Sequence, residues 1–242
     1  MPNFSLTVCL GFSFQGMMDV AKLKGDGQVV VVTGAAGSVG TIVSSSSNEI
    51  APSTSLMLDH LFSQAVQIAK LKGAKVIAVA GGADKCAWLK SELGADEALD
   101  YKAPGFIKEY KDLLRKKYGY IDILFDNVGG EILDESLVCL KPHAVIALCG
   151  SISQYNAKDV YGLKNYMALI GMKARMEGFI VMDYAKRYHE AEKVMGAWLA
   201  EGKLKRNFHI AEGGIEGLPK ALTDLFKGVN KGKMVGKSAN DA

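Results

Sequence analysis

Apolar residues fall along this chain in short continuous runs, separated by stretches with helical spacing, and most runs end in glycine or another small residue. That alternation predicts repeated strand–helix–strand units and hence an α/β fold, a doubly wound parallel sheet of about six strands. The predicted strands are Gln28–Thr33, Lys75–Ala80, Glu97–Tyr101, Ile121–Asn127, His143–Cys149 and Gly178–Asp183. The first, second and fifth are almost wholly apolar, as strands covered on both faces require. Helical spacing marks Leu56–Lys72, Lys85–Leu93, Pro104–Tyr118, Ile132–Leu140, Lys164–Met176, Arg187–Glu201 and Ile215–Lys227, with a short run over Gly232–Lys237 at the end. Pro104 suits a first helical turn, and Gly94, Gly119 and Gly202 suit helix stops.

One stretch breaks the pattern. In a dinucleotide-binding unit the second strand ends about 20 residues after the first glycine, yet Gly34 and Ala80 stand more than twice that far apart. The excess lies over 41–64, where Ser44–Ser47, Asn48 and Pro52 interrupt the helix that the glycines should open. It is expected to be a surface insertion or translated non-coding sequence, not a new domain. The layout is then an irregular tail over 1–15, one domain over 16–237 and a short tail over 238–242.

Composition narrows the function classes. A chain of 242 residues that is 49% hydrophobic and 23% charged can bury a sizeable core. Its net charge of +3 is spread evenly, so neither nucleic acid nor an anionic membrane is an expected partner. No apolar run reaches the ~18 residues of a spanning helix. Cys9, Cys86, Cys139 and Cys149 form no C-x-x-C pair, and His60, His143, His189 and His209 lack ligand spacing. No metal site is expected, and a reducing, cytoplasmic setting is the default.

The chemistry gathers at predicted strand ends. Thr33-Gly34-Ala35-Ala36-Gly37-Ser38-Val39-Gly40 follows a strand with small residues that let backbone N–H groups approach a pyrophosphate, while the next helix lends its positive end. A glycine-rich turn with packing duties alone would look similar. No Lys follows the glycines, which disfavours a nucleoside triphosphatase. The next strand ends in Ala80-Gly81-Gly82-Ala83-Asp84-Lys85, with no acid for a free ribose hydroxyl but space and a cation for a 2′-phosphate. NADP(H) is therefore expected over NAD(H). Asn127, before Val128-Gly129-Gly130, is placed to bond a ribose or the nicotinamide, or to occupy a turn. Ser151 and Ser153 sit in no G-x-S-x-G elbow, and Tyr161 and Lys164 have the wrong spacing for the Tyr-x-x-x-Lys pair of a short-chain reductase.

VVVVTGAAGSVG at 29–40, QIAKLKGAKVIAVAGGADKCAWL at 67–89, FDNVGGEILD at 125–134, ALCGSISQYN at 147–156, ARMEGFIVMDYA at 174–185 and WLAEGKL at 198–204 give the chain its kinship. It resembles the zinc-independent medium-chain dehydrogenase/reductases, specifically the prostaglandin reductase and alkenal double-bond reductase family. The resemblance implies a Rossmann-type domain and NADPH-dependent reduction of the carbon–carbon double bond of α,β-unsaturated aldehydes or ketones. Hydride goes to the β carbon, and hydrogen bonds stabilise the enolate.

Carried over residue by residue, the resemblance places the pyrophosphate on Gly37, Ser38, Val39 and Gly40, and the 2′-phosphate on Lys85 and Tyr101. Asn127, the loop of Cys149, Gly150, Ser151, Ile152, Ser153, Gln154 and Tyr155, and the strand Phe179, Ile180 and Val181 would line the ribose and nicotinamide. Asn230 matches an asparagine that helps fix the cofactor.

Departures from the family pattern are equally specific. Family members open with a barrel-type catalytic domain of which this chain holds no counterpart, and Gly16–Val20 matches the helix that enters the cofactor domain. A tyrosine that some relatives place four residues before the Arg of RMEGF is Gly171 here. Tyr155 and Tyr161 are the nearby candidates for a catalytic donor. The alternative to an active reductase is a catalytically silent fragment that binds cofactor. The family also implies a homodimer joined through the sixth strand, near Gly178–Asp183.

Overall fold

The computed structural model describes residues 12–37, 44–45, 61–205 and 208–237. Its main sheet is parallel and six-stranded, in the order β4-β3-β1-β5-β6-β7. The strands are β1 (Val29–Thr33), β3 (Lys75–Ala80), β4 (Glu97–Asp100), β5 (Ile121–Asp126), β6 (Leu140–Leu148) and β7 (Arg175–Gly178). The doubly wound architecture expected from the sequence is the one observed.

The near-continuous apolar runs are split between two layers by strand alternation. From β1, Val30 and Val32 enter one core and Val29 and Val31 the other. In β3, Val76, Ala78 and Ala80 face the first and Ile77 and Val79 the second. The first layer is closed by α1 (12–20, whose second half Gly16–Val20 is wound as a wider π-type turn), α2 (Leu61–Leu71), α3 (Ala83–Ser91) and α7 (Tyr188–Ala200). The second is closed by α4 (Phe106–Asp112, continuing as Leu113–Tyr118), α5 (Gly130–Leu137) and α6 (Ala168–Met172).

Several boundaries differ from the sequence expectation. Residues 12–15 are helical, with Ser13 and Gln15 fully buried, so this part of the expected irregular tail belongs to the packed domain. The sixth strand is Arg175–Gly178, earlier than predicted, and Val181–Arg187 forms a 3₁₀ helix. The apolar run Gly178–Asp183 misled because Val181 is buried within a helical turn, where its carbonyl accepts the Tyr188 hydroxyl at 2.9 Å. A second, three-stranded parallel sheet, β2-β9-β8, was not anticipated. It joins Ser44–Ser45 (β2), Lys233–Lys237 (β9) and Phe208–Ala211 (β8), with α8 (Gly214–Phe226) packed on it through Ala221 and Leu225 against Met234. The remainder of the expected insertion, apart from its last residues in α2, lies outside the described residues, as do 1–11 and 238–242. Among the described residues no helix is long and apolar enough to cross a membrane.

Phe125 lies at the centre of the first core, fully buried in β5, with its ring against the backbone of Gly16. Phe125→Ala is expected to lower the unfolding free energy by about 3–5 kcal/mol, measured by urea denaturation.

Candidate functional site

The strand order reverses between β1 and β5, because β1 leads outward to β3 and β4 while β5 leads outward to β6 and β7. At such a switch point the loops beyond the carboxyl ends diverge and leave a crevice. The described ends of β1, β3, β5, β6 and β7 all face it.

The floor of the crevice is a hydrogen-bonded lock between two strand ends. The Thr33 hydroxyl donates to Asp126 Oδ1 at 2.6 Å and accepts the Asn127 amide N–H at 2.9 Å. Asn127 Nδ2 donates to the Thr33 carbonyl at 2.7 Å. Asp126 also accepts the amides of Val128 (3.3 Å) and Gly129 (2.9 Å). All three side chains are buried. Burial pushes the Asp126 carboxyl above the usual carboxylate range, outweighing the hydrogen bonds from Thr33, Val128 and Gly129. Asn127 Oδ1 is the exception to this saturation, since it is buried and accepts no hydrogen bond. A bare acceptor at the wall of a cleft calls for a donor from a ligand.

The β5 and β6 loops are clamped together. Ile152 N–H bonds the Asn127 carbonyl at 3.1 Å, Ser153 N–H bonds that of Val128 at 3.1 Å, and the Ser153 hydroxyl bonds the same Val128 carbonyl at 2.6 Å. Gly129 has φ +67°, and a Cβ there would fall on the Ser151 hydroxyl, so both conformation and space demand glycine.

Two cavities result. The smaller, about 270 Å³, is bounded by Gly34, Ala36, Gly37, Gly81, Lys85, Tyr101, Asn127, Val128, Ile152, Ser153, Lys227, Gly228 and Asn230. Tyr101 lies over the tip of β3, where a Cβ on Gly81 would come within 2.8 Å of its ring. Lys85, in the first turn of α3, is half-buried and reaches the Gly228 carbonyl at 2.5 Å. Its pKa is lowered, chiefly by burial and then by Lys102 and Lys231. Among the described residues Lys85 makes no ion pair. Asn230 is buried and donates to the Gly232 carbonyl at 2.6 Å, while Gly232 N–H bonds Ala36 at 3.1 Å and so ties the C-terminal turn to the glycine turn.

The larger cavity, about 660 Å³, is bounded by Asp126, Gly129, Leu148, Cys149, Gly150, Ser151, Tyr155, Gly178, Phe179 and Ile180, among others. The Tyr155 hydroxyl accepts the Ser151 N–H at 3.1 Å, which leaves its own proton available. Cys149 is held protonated, its pKa raised well above the usual thiol value by burial and then by Asp126.

The expected residues therefore divide. Gly37, Lys85, Tyr101, Asn127, Ile152, Ser153 and Asn230 line the smaller cavity; Cys149, Gly150, Ser151, Tyr155, Phe179 and Ile180 line the larger. Ser38, Val39 and Gly40 lie outside the described residues. Three of the expected residues line neither. Gln154 is turned to the Tyr161 amide and the Ser153 hydroxyl. Val181 is buried in its helical turn. Tyr161 commits its hydroxyl to Asp134 at 3.3 Å. Thr33 and Asp126 escaped the sequence analysis as site residues; their signal is a polar residue closing the strand on each side of the switch point. Among the described residues no three of His, Cys, Asp and Glu are grouped to hold a metal ion.

The sequence profile of the zinc-binding dehydrogenase family matches residues 63–200. The NADPH-dependent curcumin reductase of Escherichia coli is 34% identical over 99% of this chain and 64% of its own length. The NADP(+)-dependent 2-alkenal reductase of Nicotiana tabacum is 36% identical over 92% of this chain and 57% of its own. Among solved structures, CurA from Vibrio vulnificus in complex with NADPH superposes with a TM-score of 0.79 at 34% identity, covering 99% of this chain and 63% of that one. The chain thus spans about 60% of the length of these relatives.

Since the raised pKa of Asp126 means that the folded state favours its neutral form, its contribution to stability is present at low pH and is lost as pH rises through that raised value. Above the ordinary carboxylate range, the unfolding free energy of the parent should fall more steeply with pH than that of Asp126→Asn, in paired denaturant titrations.

Proposed function

The chain belongs to the zinc-binding dehydrogenase family, and from that footing we propose that its domain binds NADP(H) in an oxidoreductase that reduces the carbon–carbon double bond of α,β-unsaturated aldehydes or ketones. The observation that carries the cofactor reading is the cleft beyond β1, β3 and β5. It combines a buried, unpartnered Asn127 Oδ1 with a half-buried Lys85 ammonium that forms no ion pair among the described residues. The residues present fit a phosphorylated dinucleotide. Gly81 lets Tyr101 and Lys102 close over the β3 tip, Lys85 and Tyr101 are the groups we assign to the 2′-phosphate, and Asn127 offers an acceptor to a ribose or amide donor.

NADPH supplies the hydride when bound. The chain's own part is to orient and to shield. Cys149, Gly150, Phe179 and Ile180 form the wall of the larger cavity, and Tyr155 keeps a hydroxyl proton free to donate to a developing enolate oxygen. Of the two tyrosine candidates this geometry favours Tyr155, because the Tyr161 proton is already shared with Asp134. Cys149, kept neutral by burial, is a poor nucleophile toward an electrophilic enone.

We extend the proposal to a homodimer joined through the sheet edge at β7, beside which Tyr166, Met167, Ile170 and Met182 are exposed. Sedimentation should return twice the chain mass, and a monomer at all concentrations would overturn the dimer.

For the cofactor, titration of the full chain should give tighter binding of NADPH than of NADH, read by tryptophan fluorescence or melting temperature. Lys85→Ala should weaken NADPH by roughly ten- to a hundredfold while leaving NADH nearly unchanged. Equal affinity for the two cofactors in the parent would overturn the 2′-phosphate assignment.

A further inference from the structure

Three lysines from three separate elements surround one end of the smaller cavity: Lys85 lines it, and Lys102 and Lys231 each adjoin a residue that does, Tyr101 and Asn230. Lys85 opens α3, Lys102 follows β4, and Lys231 lies in the turn between α8 and β9. The position of Lys231 is fixed on both sides by contacts to the cleft itself. Before it, Gly228 is held by the Lys85 ammonium; after it, Gly232 is held by the Ala36 carbonyl, and the buried Asn230 side chain braces the turn from within. Lys102 lies over the tip of β3, its side chain 2.9 Å from the place a Cβ on Gly81 would take. Both Lys102 and Lys231 act on Lys85 through charge, adding to the effect of burial.

Like charges brought together in a partly desolvated cleft repel one another unless something neutralises them. Among the described residues no carboxylate forms an ion pair with Lys85, Lys102 or Lys231. Asp100, two residues before Lys102, accepts the Gly82 and Lys102 amides on its Oδ1 and sets one negative charge against the three ammonium groups. Asp224, close to the turn, is paired with Lys220. Asp84 is exposed in the first turn of α3. The charge deficit is therefore local, and it surrounds the point where Lys85 stands.

We infer that Lys231 is a second ammonium for the 2′-phosphate, acting with Lys85 across the cleft mouth, with Lys102 contributing from the third side. The C-terminal turn is thus a specificity-determining element for NADP(H) as well as a brace. This inference rests on the cofactor reading above and deepens it. A dianionic phosphate relieves the repulsion among the three lysines, whereas a free ribose hydroxyl does not, so the selectivity of the cleft arises from both of its walls.

The test compares NADPH and NADH binding to the full chain and to Lys85→Ala, Lys231→Ala and Lys231→Arg by calorimetric titration. Lys231→Ala should weaken NADPH about fivefold with NADH unchanged, the loss should shrink at high salt, and Lys231→Arg should restore most of it. Lys231→Gln replaces the alanine variant should that variant not fold. Unchanged NADPH affinity in Lys231→Ala, or equal weakening of both cofactors, overturns the role of Lys231 while the effect of Lys85→Ala leaves the cofactor reading standing. Loss of no selectivity in Lys85→Ala overturns both.

Discussion

The carboxyl ends of β1 and β5 are joined by a buried polar lock, and the crevice takes its shape from that junction. At the switch point the two neighbouring strands send their loops to opposite sides, so backbone groups there have lost their ladder partners. Thr33, Asp126 and Asn127 supply the missing partners from side chains. The solution is saturated except at one atom, Asn127 Oδ1. A fully apolar junction would leave amides unsatisfied, and a looser polar one would let the loops move. The lock therefore holds the cleft open with an unpartnered acceptor buried in its wall.

The two cavities follow from how the loops are fastened beyond this lock. The segment after β5 is clamped to the segment after β6 through Val128 and Ser153, and the glycines at 129 and 130 leave no gap between them. That clamp forms a ridge across the crevice. On one side lie Lys85, Tyr101 and the C-terminal turn; on the other lie Cys149, Tyr155 and Phe179. An elongated ligand with a charged end and a flat uncharged end matches this division.

Much of the fold was legible because strand burial on both faces writes itself as unbroken apolar runs, as in β1 and β3, and because glycines close the helices. β7 was misplaced since the buried Val181 belongs to a helical turn that has the same composition as a strand. The second sheet was hidden for a different reason. Its strands are short, lie far apart in sequence, and include the two-residue Ser44–Ser45, whose polar sequence carries no strand signal. In the site, Lys85 and Asn127 stood out by their position at strand ends and Tyr101 by the family resemblance, while Thr33 and Asp126 were concealed by needing each other. A threonine and an aspartate 93 positions apart give no local sign of a 2.6 Å hydrogen bond.

The packing of α1 has a mechanical consequence. Phe179, on the wall of the larger cavity, has its ring 5.1 Å from that of Phe12 and 6.3 Å from that of Tyr184, and it presses on Gly16, where no side chain would fit. The first described helix and the far wall of the crevice therefore move as one piece. A tilt of α1 would be delivered to that wall as a sideways push by way of an aromatic lever, and through Phe125 to the central strand β5 as well.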